Sequence, residues 1–224
     1  GGGLMLNARL STALAIVAAL WLVAGCTTTA PVTSEFPEPV LTPLNMTVGV
    51  RYTEEFSNYV YEESAPGQKS WIVQMGSANV DLFESVFGSM FAGTVQIDGS
   101  ESPRALSRRV DLVIQPEVES YEFAIPTDWG TKNFSVWITY RINVLTPDGD
   151  LVVSWPVRAY GQSRHKLFNA DDSLADATTM AMRDAGAYTT IYFEDEPRIR
   201  EWLREQSAAA RSPRRRSRAP VKIR

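Results

Sequence analysis

From Phe134 to Val144 every second residue is apolar: Phe134, Val136, Ile138, Tyr140, Ile142 and Val144 alternate with Ser135, Trp137, Thr139, Arg141 and Asn143. A two-residue period marks a half-buried strand, because successive side chains leave the backbone on opposite faces. The next residues are TPDGD, 146–150, and the alternation resumes through Leu151, Val153, Trp155, Val157 and Ala159. Asp-Gly supplies the positive φ that a tight turn needs, so 134–159 reads as a long antiparallel hairpin. The two carboxylates of that turn resemble a fragment of a calcium loop. The further oxygen ligands and late bidentate glutamate of such a loop are missing, and the turn reading prevails.

Other strands are shorter. TVGVRY at 47–52, YVYEE at 59–63 and SWIVQMG at 70–76 are β-like, and Val110, Leu112 and Ile114 alternate again. Pro116 argues for an edge or a bulge before that strand resumes around Glu119 to Ala124. Two segments carry the helical period instead. Val80, Phe83, Val86, Phe87, Met90 and Phe91 recur at spacings of three and four, with Ser77 as expected N-cap and Gly93 as expected stop. A second helix starts near Asp172 or Ser173, with Leu174, Ala177, Ala181, Ala185, Tyr188 and Tyr192 as a narrow stripe suited to lying close on a sheet. After Pro197, RIREWLREQ gives a short further helix. The order implies an α+β domain, a two-layer sandwich of a mostly antiparallel sheet with two main helices on one face.

The N-terminal segment is different in kind. Arg9 is its only charge, and Leu10 to Ala24 is apolar except for Ser11 and Thr12. Those fifteen residues span about 22 Å as a helix, short of the ~30 Å hydrocarbon core, so a signal peptide is expected rather than a permanent span. Met5 is as sensible a start as any, which would make GGGL an upstream extension. Behind the run stand Leu22, Val23, Ala24, Gly25 and Cys26, the only cysteine of the chain. This resembles the lipobox of bacterial lipoproteins, with residues 22–25 as the recognition sequence of signal peptidase II. The resemblance implies cleavage before Cys26, a diacylglyceryl group on its thiol and usually an N-acyl chain. One chain of myristoyl length binds a bilayer only marginally, whereas two or three make a lasting anchor. Thr27 stands where an aspartate would favour inner-membrane retention in Gram-negative relatives, so the periplasmic face of the outer membrane is expected. With Cys26 taken by lipid, no thiol remains for a disulfide, a redox pair or a thiolate metal site.

Residues 1–25 are thus expected to be a signal peptide and 26–43 the lipidated cysteine with a Pro/Thr-rich tether, reaching up to about 55 Å. The α+β domain is assigned to 44–206 and a basic, disordered tail to 207–224. The tail holds seven basic residues, Arg214, Arg215, Arg216 and Arg218 among them, and no acid. Setting these and Arg9 aside leaves 14 of the 22 basic residues against 26 acidic ones, so the body carries −12. In an exported chain a nucleic-acid partner is not expected, and the four arginines are candidates for contact with anionic head groups.

Catalytic residues are not expected. The single histidine, His165, has Ser163 and Asp171 or Asp172 nearby in sequence, but no Gly-x-Ser-x-Gly elbow accompanies them. Glu54 with Glu55, like Asp171 with Asp172, reads as a helix-capping or solvated pair. Metal-ligand spacing, a phosphate-binding loop and a dinucleotide fingerprint are missing from the sequence, so no metal is expected and no cofactor beyond the covalent lipid. The order of elements is similar to that of small α/β periplasmic lipoproteins: the lipopolysaccharide-assembly lipoprotein, auxiliary lipoproteins of lipid-transport ABC systems, and domains akin to the N-terminal domain of TolB. That likeness implies a non-catalytic adaptor or assembly component, bound to the membrane by its lipid and to another envelope protein. The alternative is a lipid- or glycan-binding lipoprotein of a transport system, with a pocket lined by Phe83, Phe87 and Phe91 between helix and sheet. A filled core beneath an exposed apolar patch would favour the adaptor.

Overall fold

The computed structural model describes residues 27–32, 36, 39–64, 69–126, 132–164 and 170–211. Its centre is the expected hairpin, β7 (Asn133–Leu145) with β8 (Leu151–Arg164). Gly149 has φ +97°, and Thr146 N donates to Asp150 O at 2.8 Å across the turn. Before the hairpin come β1 (Thr27–Pro31), β2 (Leu44–Val50), α1 (Glu54–Ser57), β3 (Val60–Glu63), β4 (Ser70–Gln74), α2 (Gly76–Met90), β5 (Phe91–Gln96), α3 (Pro103–Leu106) and β6 (Leu112–Ala124); after it come α4 (Ala170–Tyr192) and α5 (Pro197–Arg211). The fold is α+β and sandwich-like. A five-stranded sheet runs β5-β2-β6-β7-β8, and a three-stranded one runs β1-β4-β3. The second layer on the large sheet's inner face consists of α2, α4 and the small sheet, whose Trp71 packs edge-on against Phe123 and Phe134.

The large sheet is mostly antiparallel by length of pairing, as expected, yet both sheets are mixed. β2 runs parallel to β5 and to β6, and β1 runs parallel to β4. The antiparallel pairing of β7 and β8 is joined by a tight turn, which leaves a local signal; β2 and β5 are joined by a crossover through α2, which leaves none in either strand. Pro116 does mark an edge. β2 accompanies β6 only over Leu112–Ile114, so the proline lies beyond the end of that neighbour, and a bulge follows between Val118 and Ser120.

Both helix-end expectations for α2 also shift. It begins at Gly76, with Met75 in the N-cap position and no side-chain cap. Met75 N and Gly76 N both donate to Tyr59 O at 3.1 Å, and a Cβ on residue 76 would lie 2.2 Å from Ser57 O. A tertiary contact, not a cap residue, sets the start. Instead of stopping at Gly93, the helix passes directly into β5 at Phe91, where edge pairing with β2 takes over the backbone hydrogen bonds.

Structure also begins earlier and ends later than expected. Thr27–Pro31, read as tether, is strand β1; its five residues pair with Ser70–Gln74, and Ala30 is fully buried. Threonine is a good strand former, and the free edge of β4 offers it a partner. At the other end Ser207–Arg211 continue α5 rather than starting a disordered tail. Ala208–Ala210 have the highest helix propensity of any residue type. Residues 212–224 lie outside the described residues.

Candidate functional site

The stripe of small residues on α4 behaves as its sequence implies. Leu174, Ala177, Ala181 and Ala185 are fully buried, and Gly161 of β8 lets the helix backbone approach the sheet. The tyrosines assigned to the same stripe do not follow it. Tyr188 and Tyr192 are 37% and 45% exposed, their rings in tilted contact with centroids 4.6 Å apart, with Tyr188 also 5.7 Å from Trp155. Ile191, 62% exposed, stands beside them. Ala187 is exposed as well, so the C-terminal half of α4 presents a continuous apolar face.

That face runs into a groove of about 300 Å³ between α2 and α4. Leu82 and Val86 form one wall, Gly186, Ala187 and Ile191 the other, and Phe36 and Pro39 of the N-terminal segment close one side. The glycine matters here: a Cβ on residue 186 would sit 3.0 Å from Leu82 and 3.2 Å from Val86, narrowing the gap between the helices. Few polar atoms face the groove. Thr190 Oγ1 donates back to Gly186 O at 2.8 Å, whereas Ser85 Oγ is buried with no hydrogen-bond partner among the described residues.

The three phenylalanines expected to line a pocket between helix and sheet pack into the core instead, and the cleft of about 200 Å³ between α2, β2 and β5 takes only Phe87 of them, beside Val50, Tyr52, Glu84, Thr94 and Gln96. Phe83 and Phe87 are fully buried and Phe91 nearly so; Phe83 packs edge-on against Tyr140 at 5.3 Å, and Phe91 against Phe193 at 5.4 Å. Tyr140, wholly buried, donates to Asn79 Oδ1 at 2.8 Å, and burial pushes its phenol well above the ordinary range. Asn79 Nδ2 has no partner among the described residues, so this bond is the amide's link to the core. Tyr140→Phe should therefore destabilise the fold by about 1–3 kcal/mol, since it strands a buried carbonyl oxygen. Urea unfolding measures the loss, and the double variant Tyr140→Phe/Asn79→Leu should recover part of it.

Of the residues singled out from sequence, Cys26, Leu22, Val23, Ala24, Gly25, Arg214, Arg215, Arg216, Arg218 and His165 lie outside the described residues. Ser163 Oγ donates to Ser173 O, tying the end of β8 to the first turn of α4. Asp171 pairs with Lys69 at 3.4 Å. Glu54 and Glu55 occupy the first turn of α1, where Thr53 Oγ1 accepts from Phe56 N at 3.2 Å. From sequence Val86 reads only as part of a core stripe and Leu82 is missed, because α2 has a buried face wider than one stripe. A usable signal was present in the apolar surplus at the end of α4, where Ile191 falls off the stripe that begins at Leu174.

Neither a protein-family model nor a curated protein sequence matches the chain. Among solved structures, protein XCC0632 from Xanthomonas campestris is 16% identical, over 77% of this chain and 98% of its own, with TM-score 0.44. A candidate neuraminyllactose-binding hemagglutinin homolog from Helicobacter pylori is 12% identical over 80% and 99%, with TM-score 0.49. Uncharacterized lipoprotein B from Nitrosomonas europaea is 12% identical over 69% and 90%, with TM-score 0.34. At such values the likenesses carry no functional argument.

Proposed function

We propose that the chain is a membrane-anchored envelope lipoprotein, lipidated at Cys26 and working without catalysis as an adaptor for another envelope protein. The observation that carries the adaptor reading is the exposed apolar face of Ala187, Tyr188, Ile191 and Tyr192 above a filled aromatic core. Such faces mark interaction sites, and tyrosines at the rim add large contact area at low entropic cost. Anchoring contributes by confinement: held on one surface, domain and partner meet at a raised effective concentration. The outer membrane, periplasmic face, is the location this reading assigns, with Arg214, Arg215, Arg216 and Arg218 available to anionic head groups.

Two measurements test it. Intact mass of the protein from the membrane fraction should show a chain starting at Cys26 with two or three acyl chains, and Cys26→Ser should remain unprocessed. A free thiol, or retention of residues 5–25, would overturn the lipoprotein assignment. A photo-crosslinking residue at Ile191 should yield one discrete protein adduct in cells, while the same residue at Arg158, exposed on the opposite face of the sheet, should not. Equal adducts at both positions would count against the apolar face.

A second reading is favoured by one feature only. The unpartnered hydroxyl of Ser85 in a mostly apolar groove, which Arg183 and Thr190 also line, suits a small amphiphile with a polar head. In that case the discrete product at Ile191 would be a lipid or glycan rather than a protein.

A further inference from the structure

The first described strand begins one residue after the proposed lipid site, and it is part of the body. Thr27 pairs with Ser70 and Pro31 with Gln74, while Ala30 is buried in the main core. Beyond β1, Val32, Phe36, Leu41 and Leu44 are partly buried against that core, and Phe36 and Pro39 form part of the groove. The segment expected to hold the domain away from the membrane is therefore packed along its side. Between Cys26 and the paired backbone lies one Cα–Cα step, about 3.8 Å.

The end of the body that follows from this is well defined. Ser70 adjoins Lys69, which pairs with Asp171 at the start of α4. Trp71 touches Phe123 and Phe134, placing the β6 end at Ala124 and the β7 start at Asn133 beside it, and Asn133 pairs with Arg164. Ile125, 46% exposed, and the exposed Lys132 also sit here. The hairpin turn and the C-terminus of α4 lie at the opposite end.

Resting on the lipidation reading above, we infer that the mature protein has no free spacer and stands on the bilayer with the Ser70–Ile125–Arg164 end against the lipid surface. The 22 residues from Ala170 to Ile191 then hold the apolar face of α4 about 30 Å above the head groups, within reach of a protein partner and away from the acyl chains.

The single native cysteine makes the test direct, since acylation leaves an introduced cysteine as the only thiol. Ile125→Cys and Leu151→Cys, both at exposed positions, are labelled with a fluorophore, and each acylated protein is reconstituted into vesicles of phosphatidylethanolamine and phosphatidylglycerol carrying an acceptor on the head groups. The 13 residues of β7 separate the two labels by about 40 Å. Energy transfer should be several-fold stronger from position 125. A Gly/Ser insert of about 12 residues between Cys26 and Thr27, with an r.m.s. span near 20 Å, should reduce that ratio. Equal transfer from both labels on vesicle-bound protein, or an insert without effect, overturns the standing orientation alone. A chain whose mass shows no acyl group overturns it together with the lipoprotein reading.

Discussion

Gly161→Ala is expected to lower the unfolding free energy by about 3 kcal/mol or more, at the upper end of overpacking costs. The methyl group would lie 2.1 Å from Ala177 O and 2.2 Å from Ala181 N. Both atoms belong to the backbone of α4, so no side chain can swing aside. The helix would have to lift from β8, taking Leu174, Ala177, Ala181 and Ala185 out of close packing and loosening the edge bond from Tyr160 N to Asp184 Oδ2, 2.9 Å. For a domain of this size the loss corresponds to about 6–12 °C in Tm. Gly88→Ala is the matched control. It lies within α2 with no atom within 4 Å of the new Cβ, and should be stabilising by about 0.5–1 kcal/mol. Thermal unfolding of both variants decides the matter; a Gly161→Ala protein as stable as the parent would mean that α4 does not lie this close to the sheet.

Alkaline unfolding should set in sharply above pH 10. Burial pushes the phenols of Tyr140, Tyr121 and Tyr52 well above the ordinary tyrosine range. The acid beside Tyr52, Glu84, adds to the effect there, while the bond from Tyr121 to Thr178 at 2.8 Å opposes it. In the unfolded chain all three ionise near pH 10. Above that pH the native state therefore holds more protons than the unfolded one, and stability falls as pH rises. The contribution is intact below pH 10 and is lost at about 1.4 kcal/mol per pH unit for each proton retained, so three such groups give about 4 kcal/mol per unit. Tyr61, pushed up to about 12 by partial burial and by its bond to Glu63, is too exposed to add much. Circular dichroism and phenolate absorbance should change together between pH 10 and 12, and Tyr140→Phe should flatten the slope by one group. Tyrosines that ionise near pH 10 with the fold intact would contradict the burial.

Much of this was legible in residues with short-range partners. The hairpin of β7 and β8 follows from alternation on both sides of TPDGD, because a tight turn brings together strands whose faces are already fixed. The close docking of α4 follows from its alanines. Where partners are far apart in sequence, the reading failed in identifiable ways. Thr27–Pro31 has no alternation that separates it from an extended tether; only the free edge of β4, some 40 residues on, makes it a strand. The start of α2 is set by Tyr59 O and Ser57 O, so the Ser77 signal was overruled. Phe83, Phe87 and Phe91 carry the same periodicity whether they surround a cavity or fill it, and only packing distances separate the two.

By itself the sequence determined the class of fold, the two alternating faces of the central hairpin and the place of its turn. These depend on local geometry: turn propensity, side-chain alternation and the spacing of a few adjacent residues. Tertiary structure alone decided that the phenylalanine core is filled, that Tyr188, Ile191 and Tyr192 are left outside, and that the chain after Cys26 is bound to the body. Each of those turns on which surfaces meet across the sequence, and burial is a property of the pair of surfaces rather than of either segment alone.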